Sequence, residues 1–142
     1  MKNVAITLFA LLVGSFSFGQ KVKQADVPAV VKQAFDKMFA QAKEIEWKME
    51  DGKYEADFEQ NQEEMSAVFT ASGVHEETEV EMKVTDLPAA ITAYISKNYG
   101  NAKVKEAAKI TKANGEVNYE AEVKGKDLIF DANGKFIKSI KD

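Results

Sequence analysis

The sequence predicts an α+β fold, a tandem repeat of one helix plus about four antiparallel strands, with both helices on one face of a shared antiparallel sheet. Two observations carry this. The chain repeats itself: Asp26-Val27-Pro28-Ala29 opens a helical pattern, and sixty residues later Asp86-Leu87-Pro88-Ala89 opens another. Tyr54-Glu55-Ala56-Asp57-Phe58 is then answered by Tyr119-Glu120-Ala121-Glu122-Val123, and Phe69-Thr70-Ala71-Ser72-Gly73 by Phe130-Asp131-Ala132-Asn133-Gly134. A fixed internal period means one supersecondary unit used twice. Within each unit the apolar period switches from about 3.6 to 2, from helix to strands.

Residues 1–19 read as a secretory signal peptide. Lys2 supplies the positive start, Val4 to Val13 the apolar run, and Ser17-Phe18-Gly19 the small residues of a cleavage site. The apolar run is shorter than the about 20 residues a spanning helix needs, so no membrane span is expected. The mature domain is expected over 20–142, with repeats at 26–80 and 86–140, in the periplasm or secreted. The chain has no cysteine, so export brings no disulfide.

Each helix starts on an aspartate placed to cap free amides, followed by proline in the first turn. Val27, Val30, Val31, Ala34, Phe35, Met38 and Phe39 form the first apolar stripe, and Leu87, Ala90, Ile91, Tyr94, Ile95 and Tyr99 the second. In the strands, Ile45, Trp47 and Met49 alternate with Glu44, Glu46, Lys48 and Glu50. Past the Asp51-Gly52 turn, Tyr54, Ala56 and Phe58 alternate with Glu55, Asp57 and Glu59. Met65, Ala67 and Phe69 continue the pattern to a turn at Ser72-Gly73 and a weaker strand from Val74 to Val80. Glu79 to Thr85 reads as a linker. The second unit follows with Val104 to Ile110, Tyr119 to Val123, Leu128 to Phe130 and Phe136 to Ile140, separated by turns at Asn114-Gly115, Lys124-Gly125 and Asn133-Gly134. Helices on one face leave the other face wet, and the carboxylates are expected there in solvent.

Charge narrows the functions. The net charge is −4 and every basic residue is lysine, so nothing supplies the bidentate arginine fork of a nucleic-acid or phosphate binder. Residues 44–86 hold 14 acids against 3 lysines, which reads first as a solvated face on the first repeat and, more sharply, as an acidic docking surface for a basic partner. His75 is the only histidine and reads as a surface residue just past a turn. Asp131-Ala132-Asn133-Gly134-Lys135 lacks the spacing and closing glutamate of a calcium loop and reads as a hairpin turn. No nucleophile and base pair stands out, no metal site or cofactor is expected, and catalysis is not expected. Trp47 and Tyr54 fall on the core side of the alternation, with an exposed aromatic platform as the alternative.

Taken together, Val27-Pro28-Ala29 through Phe35 and Phe39, Ala42-Lys43, Trp47, Asp51-Gly52-Lys53-Tyr54-Glu55-Ala56, Leu87-Pro88-Ala89-Ala90-Ile91, Tyr99, Ala102, Tyr119-Glu120 and Phe130 to Lys135 resemble the PepSY-like family of exported bacterial proteins, also called beta-lactamase-inhibitor-like. The resemblance covers essentially the whole mature chain. It implies helices on one face of an antiparallel sheet running across both repeats, and a bacterium of the Bacteroidetes type. Its names invoke inhibition of a hydrolase or peptidase, but no defined inhibitory residue carries over. The expected function is a non-enzymatic exported binding module that docks a protein or peptide of the cell envelope on its open sheet face. Glu44, Glu46, Glu55, Asp57 and Glu59 are the expected contacts. The alternative is a small-molecule or cation-binding periplasmic protein.

Overall fold

The computed structural model describes residues 19–141; the expected signal peptide, apart from Gly19, lies outside them. The described residues form β1 (Gln20–Val22), α1 (Ala29–Met38), β2 (Lys43–Glu50), β3 (Lys53–Gln60), β4 (Glu63–Thr70), β5 (His75–Met82), α2 (Ala89–Tyr99), β6 (Val104–Lys112), β7 (Val117–Val123), β8 (Lys126–Asp131) and β9 (Phe136–Lys141), with short 3₁₀ turns at Gln24–Asp26 and Val84–Asp86. All nine strands make one antiparallel sheet in sequence order. Each helix precedes a run of four strands, and β1 is an extra edge strand that pairs Val22 with Trp47. Glu79 to Met82, expected as linker, belongs to β5, whose ladder with β6 makes the two halves one sheet.

Tight turns do much of the shaping. Asp51-Gly52, Asn61-Gln62 and Lys124-Gly125 each place two consecutive residues at positive φ, the two-residue turn whose twist suits a hairpin. Four register shifts interrupt the ladders: Lys43/Glu46 and Val68/Phe69 in the first half, Val104/Ala107 and Ile129/Phe130 in the second. Each shift in the second half lies 61 positions after its counterpart, so the duplication is preserved in the irregularities as well as the pattern.

The helices cover one face. Under α1, Val31 and Phe35 meet Trp47, Ala56, Phe58, Ala67 and Phe69; under α2, Ile91 and Ile95 meet Ala107, Ala121, Val123, Leu128 and Phe130. The fully buried alanines let each helix sit close to the sheet. Phe35 is the hub of the first core, with ring centroids 5.3 Å from Trp47, 5.0 Å from Phe58 and 6.3 Å from Phe69. In the second core Tyr94 stacks on Phe136 at 4.9 Å. Between the cores Thr78, Lys109 and Thr111 hold the helix side of the seam, and of these Lys109 and Thr111 are exposed.

Two details of the helices differ from expectation. Asp26 and Asp86 end the 3₁₀ turns rather than capping, and no side chain caps either helix; Pro28 and Pro88 are the cap residues, and their carbonyls accept from Val31 and Ile91. Val30 and Met38 are also exposed rather than in the stripe, at 46% and 47%. Val30 lies instead against the β4–β5 turn. A Cβ on Gly73 (φ +82°) would come within 2.8 Å of the Val30 carbonyl oxygen, and one on Gly134 (φ +79°) within 2.8 Å of Ala90 Cβ. Each hairpin turn is thus pressed onto the first turn of its own helix.

Trp47 is 4% exposed, so Trp47→Ala should cost about 3–5 kcal/mol in denaturant melts. Gly73→Ala should lower the melting temperature more than Gly52→Ala: both pay about 1–2 kcal/mol for the left-handed backbone, but only Gly73 also meets a helix, Gly52 facing open space.

Candidate functional site

The sheet face turned away from the helices carries rows of polar residues in register. One row runs Lys48, Glu55, Val68, Glu77, Lys112; the next runs Glu46, Asp57, Ser66, Glu79, Ile110, Asn118, Asp131. A third takes Glu81, Ala108, Glu120, Ile129 and Lys138, and a fourth Glu122, Asp127 and Ile140. The expected solvation of this face is not what the structure shows. Lys48, Glu55, Ser66, Glu79, Asn118, Glu120, Glu122 and Asp127 are all buried, although none of the described helices packs there.

Curvature explains the burial. Lys138 on β9 lies close enough to Glu77 on β5 to lower its pKa, and Asp127 on β8 close enough to Glu79 to raise its pKa. In a flat sheet β5 and β9 would stand roughly 19 Å apart, four steps of about 4.8 Å. The sheet therefore curls around this face into a trough, and its own side chains cover one another.

The acids in the trough respond as buried like charges do. Glu79 is 2% exposed, and neither carboxylate oxygen has a hydrogen-bond partner among the described residues. Burial first, then Glu120 and Glu55, hold its pKa well above the ordinary value of 4.5. Glu55 is 7% exposed; burial and then Asp57 push its pKa up to about 8, with Lys48 opposing. Burial also raises Asp57, whose carboxylate pairs with Lys48. Around the rim Lys53 meets Glu76 at 2.6 Å and Lys105 meets Glu122 at 3.2 Å.

The five residues expected as contacts therefore fare differently. Glu46 and Asp57 stand side by side in one row, Glu46 pairing with Lys21 at 3.2 Å. Glu59 is half-buried, pairs in register with Glu64, and lines a recess with Gln41, Lys43, Asn61 and Gln62. Glu44, exposed and with φ 52°, sits in the bulge and leaves the row. Glu55 is on the expected face but buried, because the sheet curls. A cleft of about 220 Å³ opens beside it, lined by Glu50, Asp51, Lys53, Glu55, Val68, Glu76 and Glu77.

Glu79, Glu120, Glu122 and Asp127 were missed as site residues. Strand alternation through Glu77-Thr78-Glu79-Val80-Glu81 and Glu120-Ala121-Glu122 is the signal that could have found them. His75 is likewise more than a surface residue. Its ring packs 5.4 Å from Phe69, its Nε2 lies 2.8 Å from Thr78 Oγ1, and burial lowers its pKa. The Asp131 turn is a hairpin turn, with Asp131 Oδ1 accepting from the amides of Asn133 and Lys135. Among the described residues no three His, Asp or Glu side chains are grouped to hold a metal ion, and no helix is long and apolar enough to cross a membrane.

The buried acids make stability fall with pH. Unfolded, Glu55 loses its proton near 4.5; folded, it keeps it to about 8, so the native state binds more protons between those values. Its contribution is fully present below about 4.5, shrinks as pH rises and is gone above about 8, by about 1.4 kcal/mol per unit of pKa difference. Glu79 acts in the same direction. Melting temperatures measured from pH 5 to 9 should fall, and Glu55→Gln should flatten that fall while raising stability at pH 8. An unchanged slope in the variant would show that Glu55 ionises freely in the fold.

Comparison with known proteins agrees with this architecture. The chain is similar to a protein of Bacteroides eggerthii described as periplasmic (18% identity, TM-score 0.72, covering 80% of this chain and 88% of that one). It is also similar to a DUF2874 family protein of Bacteroides ovatus (21% identity, TM-score 0.69, 80% and 86% covered). A BLIP-like protein of Bacteroides fragilis is 26% identical with a TM-score of 0.61, over 80% of this chain and 84% of that one. No curated protein matches the chain. The family described as beta-lactamase-inhibitor-like, PepSY-like, matches twice, over residues 18–73 and 52–138, which together span nearly the whole described chain; the chain belongs to the PepSY-like family.

Proposed function

We propose that this protein is a non-enzymatic binding module exported to the periplasm, and that it docks a protein or peptide partner on the acid-lined trough of its sheet. The observation that carries the reading is the trough itself. A protein stable by its helix-side cores alone has no need of a second face lined with buried acids, whose desolvation costs stability. Groups kept at such a cost, on a face that no described helix covers, are suited to binding. The family's inhibitor-like character and the BLIP-like relative support a protein as the occupant, with an envelope hydrolase or peptidase the class that the family's description suggests. Export is supported by the leader-like residues 1–19 and by the periplasmic description of the B. eggerthii protein.

Glu46 and Glu59 would form one accessible side of the contact, with Glu44 beside them at the sheet edge and Asp57, paired with Lys48, behind them. Glu55 would be reached through the cleft. Rim charges of this kind steer association and are screened by salt. The rival reading, a small-molecule or cation-binding protein, finds support in the same cleft and would show as ligand-dependent thermal shifts with no protein partner.

Capture from a periplasmic extract of the source bacterium, followed by affinity measurement, tests the proposal. Glu46→Lys combined with Glu59→Lys should leave the fold intact and weaken the captured partner about tenfold at low ionic strength, less at high salt. A partner whose affinity is indifferent to both changes docks elsewhere, and the trough would lose its role.

A further inference from the structure

We infer that the cleft at the mouth of the trough is a pocket for one cationic side chain, a guanidinium or ammonium group carried by the protein or peptide partner. This rests on the trough being the docking face and specifies the chemistry recognised there. The cleft lies where the β2–β3 hairpin meets the start of β5, and its volume of about 220 Å³ suits one long side chain. Five of its seven lining residues are acids. Val68 on β4 lies between Glu55 and Glu77 in the ladder and offers an apolar surface for the methylenes of such a side chain.

The decisive group is Glu55. It is more than nine-tenths buried, lines the cleft, and its Oε1 has no hydrogen-bond partner among the described residues, with the Ser66 hydroxyl beside its carboxyl; Oε1 of Glu50, which faces Lys53 across the β2–β3 ladder, is also buried and unpartnered. The two cations nearby already have carboxylate partners: Lys53 lines the cleft itself, and Lys48 stands opposite Glu55 in the ladder. Lys53 pairs with Glu76, and Lys48 with Asp57. A cation entering the cleft would supply the missing donors to Glu55 and Glu50 and relieve repulsion with Asp57 and Asp51. A metal ion is disfavoured, since among the described residues no three acids converge as ligands.

Proton linkage gives the pocket a signature. The charged groups facing Glu55 are Lys48 and Glu50 on β2, Lys53 and Asp57 on β3, and Glu76, Glu77 and Glu79 on β5, while β4 contributes none. Since Glu55 is protonated until about pH 8, a cation must displace its proton, and affinity should rise between pH 6 and 9.

The experiment is a titration of the protein, followed by amide chemical shifts, with the blocked peptide acetyl-Gly-Arg-Gly-amide and its neutral citrulline counterpart. Expected are shifts confined to residues 50–55 and 76–77 for the arginine peptide, none for citrulline, tighter binding at pH 9 than at pH 6, and at least tenfold weaker binding in Glu55→Gln. That isosteric change removes a buried acid, so the fold should survive it. Glu50→Gln, nearer the surface, should weaken binding more modestly. Equal binding of the citrulline peptide, shifts elsewhere, or no effect of Glu55→Gln would overturn the inference. Guanidinium chloride or calcium chloride binding the same residues as tightly as the peptide would overturn it in favour of a free cation or a metal. Loss of this inference with an envelope partner still sensitive to Glu46→Lys and Glu59→Lys would leave the docking face standing, whereas a partner indifferent to both, beside an intact arginine site, would remove the face alone.

Discussion

Curl of the sheet is the constraint on which the rest depends. An antiparallel sheet covered by helices on one side would ordinarily leave its other side to water. Here four bulges, at matching places in the two halves, kink and twist the strands. Together with the tight hairpins they bend the sheet, so that the charge of Lys138 on β9 is felt by Glu77 on β5. Once the strands are so bent, the convex side needs cover and receives two helices, whereas the concave side covers itself. The alanines under each helix and the acids in the trough follow from one shape: small residues where another element must come close, and polar residues where the ladder faces inward without a second layer.

That shape sets an electrostatic balance. Carboxyl groups on neighbouring strands of a concave surface point toward one another, and water that would screen them is displaced by their neighbours. Protonation is the cheapest relief, which is why Glu79 and Glu55 are held above the ordinary carboxylate range. The lysines in and around the trough compensate only locally. Lys48 serves Asp57, Lys53 serves Glu76 and Lys105 serves Glu122, while at the seam between the halves Glu79 has burial, Glu120 and Glu55 set against its charge.

Much of this was legible in the residues. Period two assigned Trp47, Ala56, Phe58 and Phe69 to the helix side and Glu55 and Asp57 to the other, because alternation depends only on the pleat. The repeated Asp-apolar-Pro-Ala signal located both helices to within a few residues. What escaped was whatever depends on long-range geometry. Burial of Glu55 needs the curl, and the curl arises from bulges that no simple spacing announces; Glu44 adopts a left-handed backbone without being glycine. Glu79 falls where the weaker strand and the linker overlap in the sequence, and only the pairing with β6 makes it the centre of the sheet. Val30 left its stripe because Gly73 draws the β4–β5 turn onto the first turn of α1.

The nearest-neighbour order of the strands has a consequence for how the molecule assembles. Every ladder joins segments adjacent in the chain, apart from the two places where a helix intervenes, so each pairing closes a short loop at small entropic cost. Such topologies fold quickly for their size, and either half can organise its own aromatic cluster before the other is in place. Thr78, Lys109 and Thr111 stand beside Val80 on the helix side of the seam, and the two clusters remain separate. The β5–β6 ladder is what joins the two halves, and it sets Glu79 opposite Ile110 at the middle of the trough.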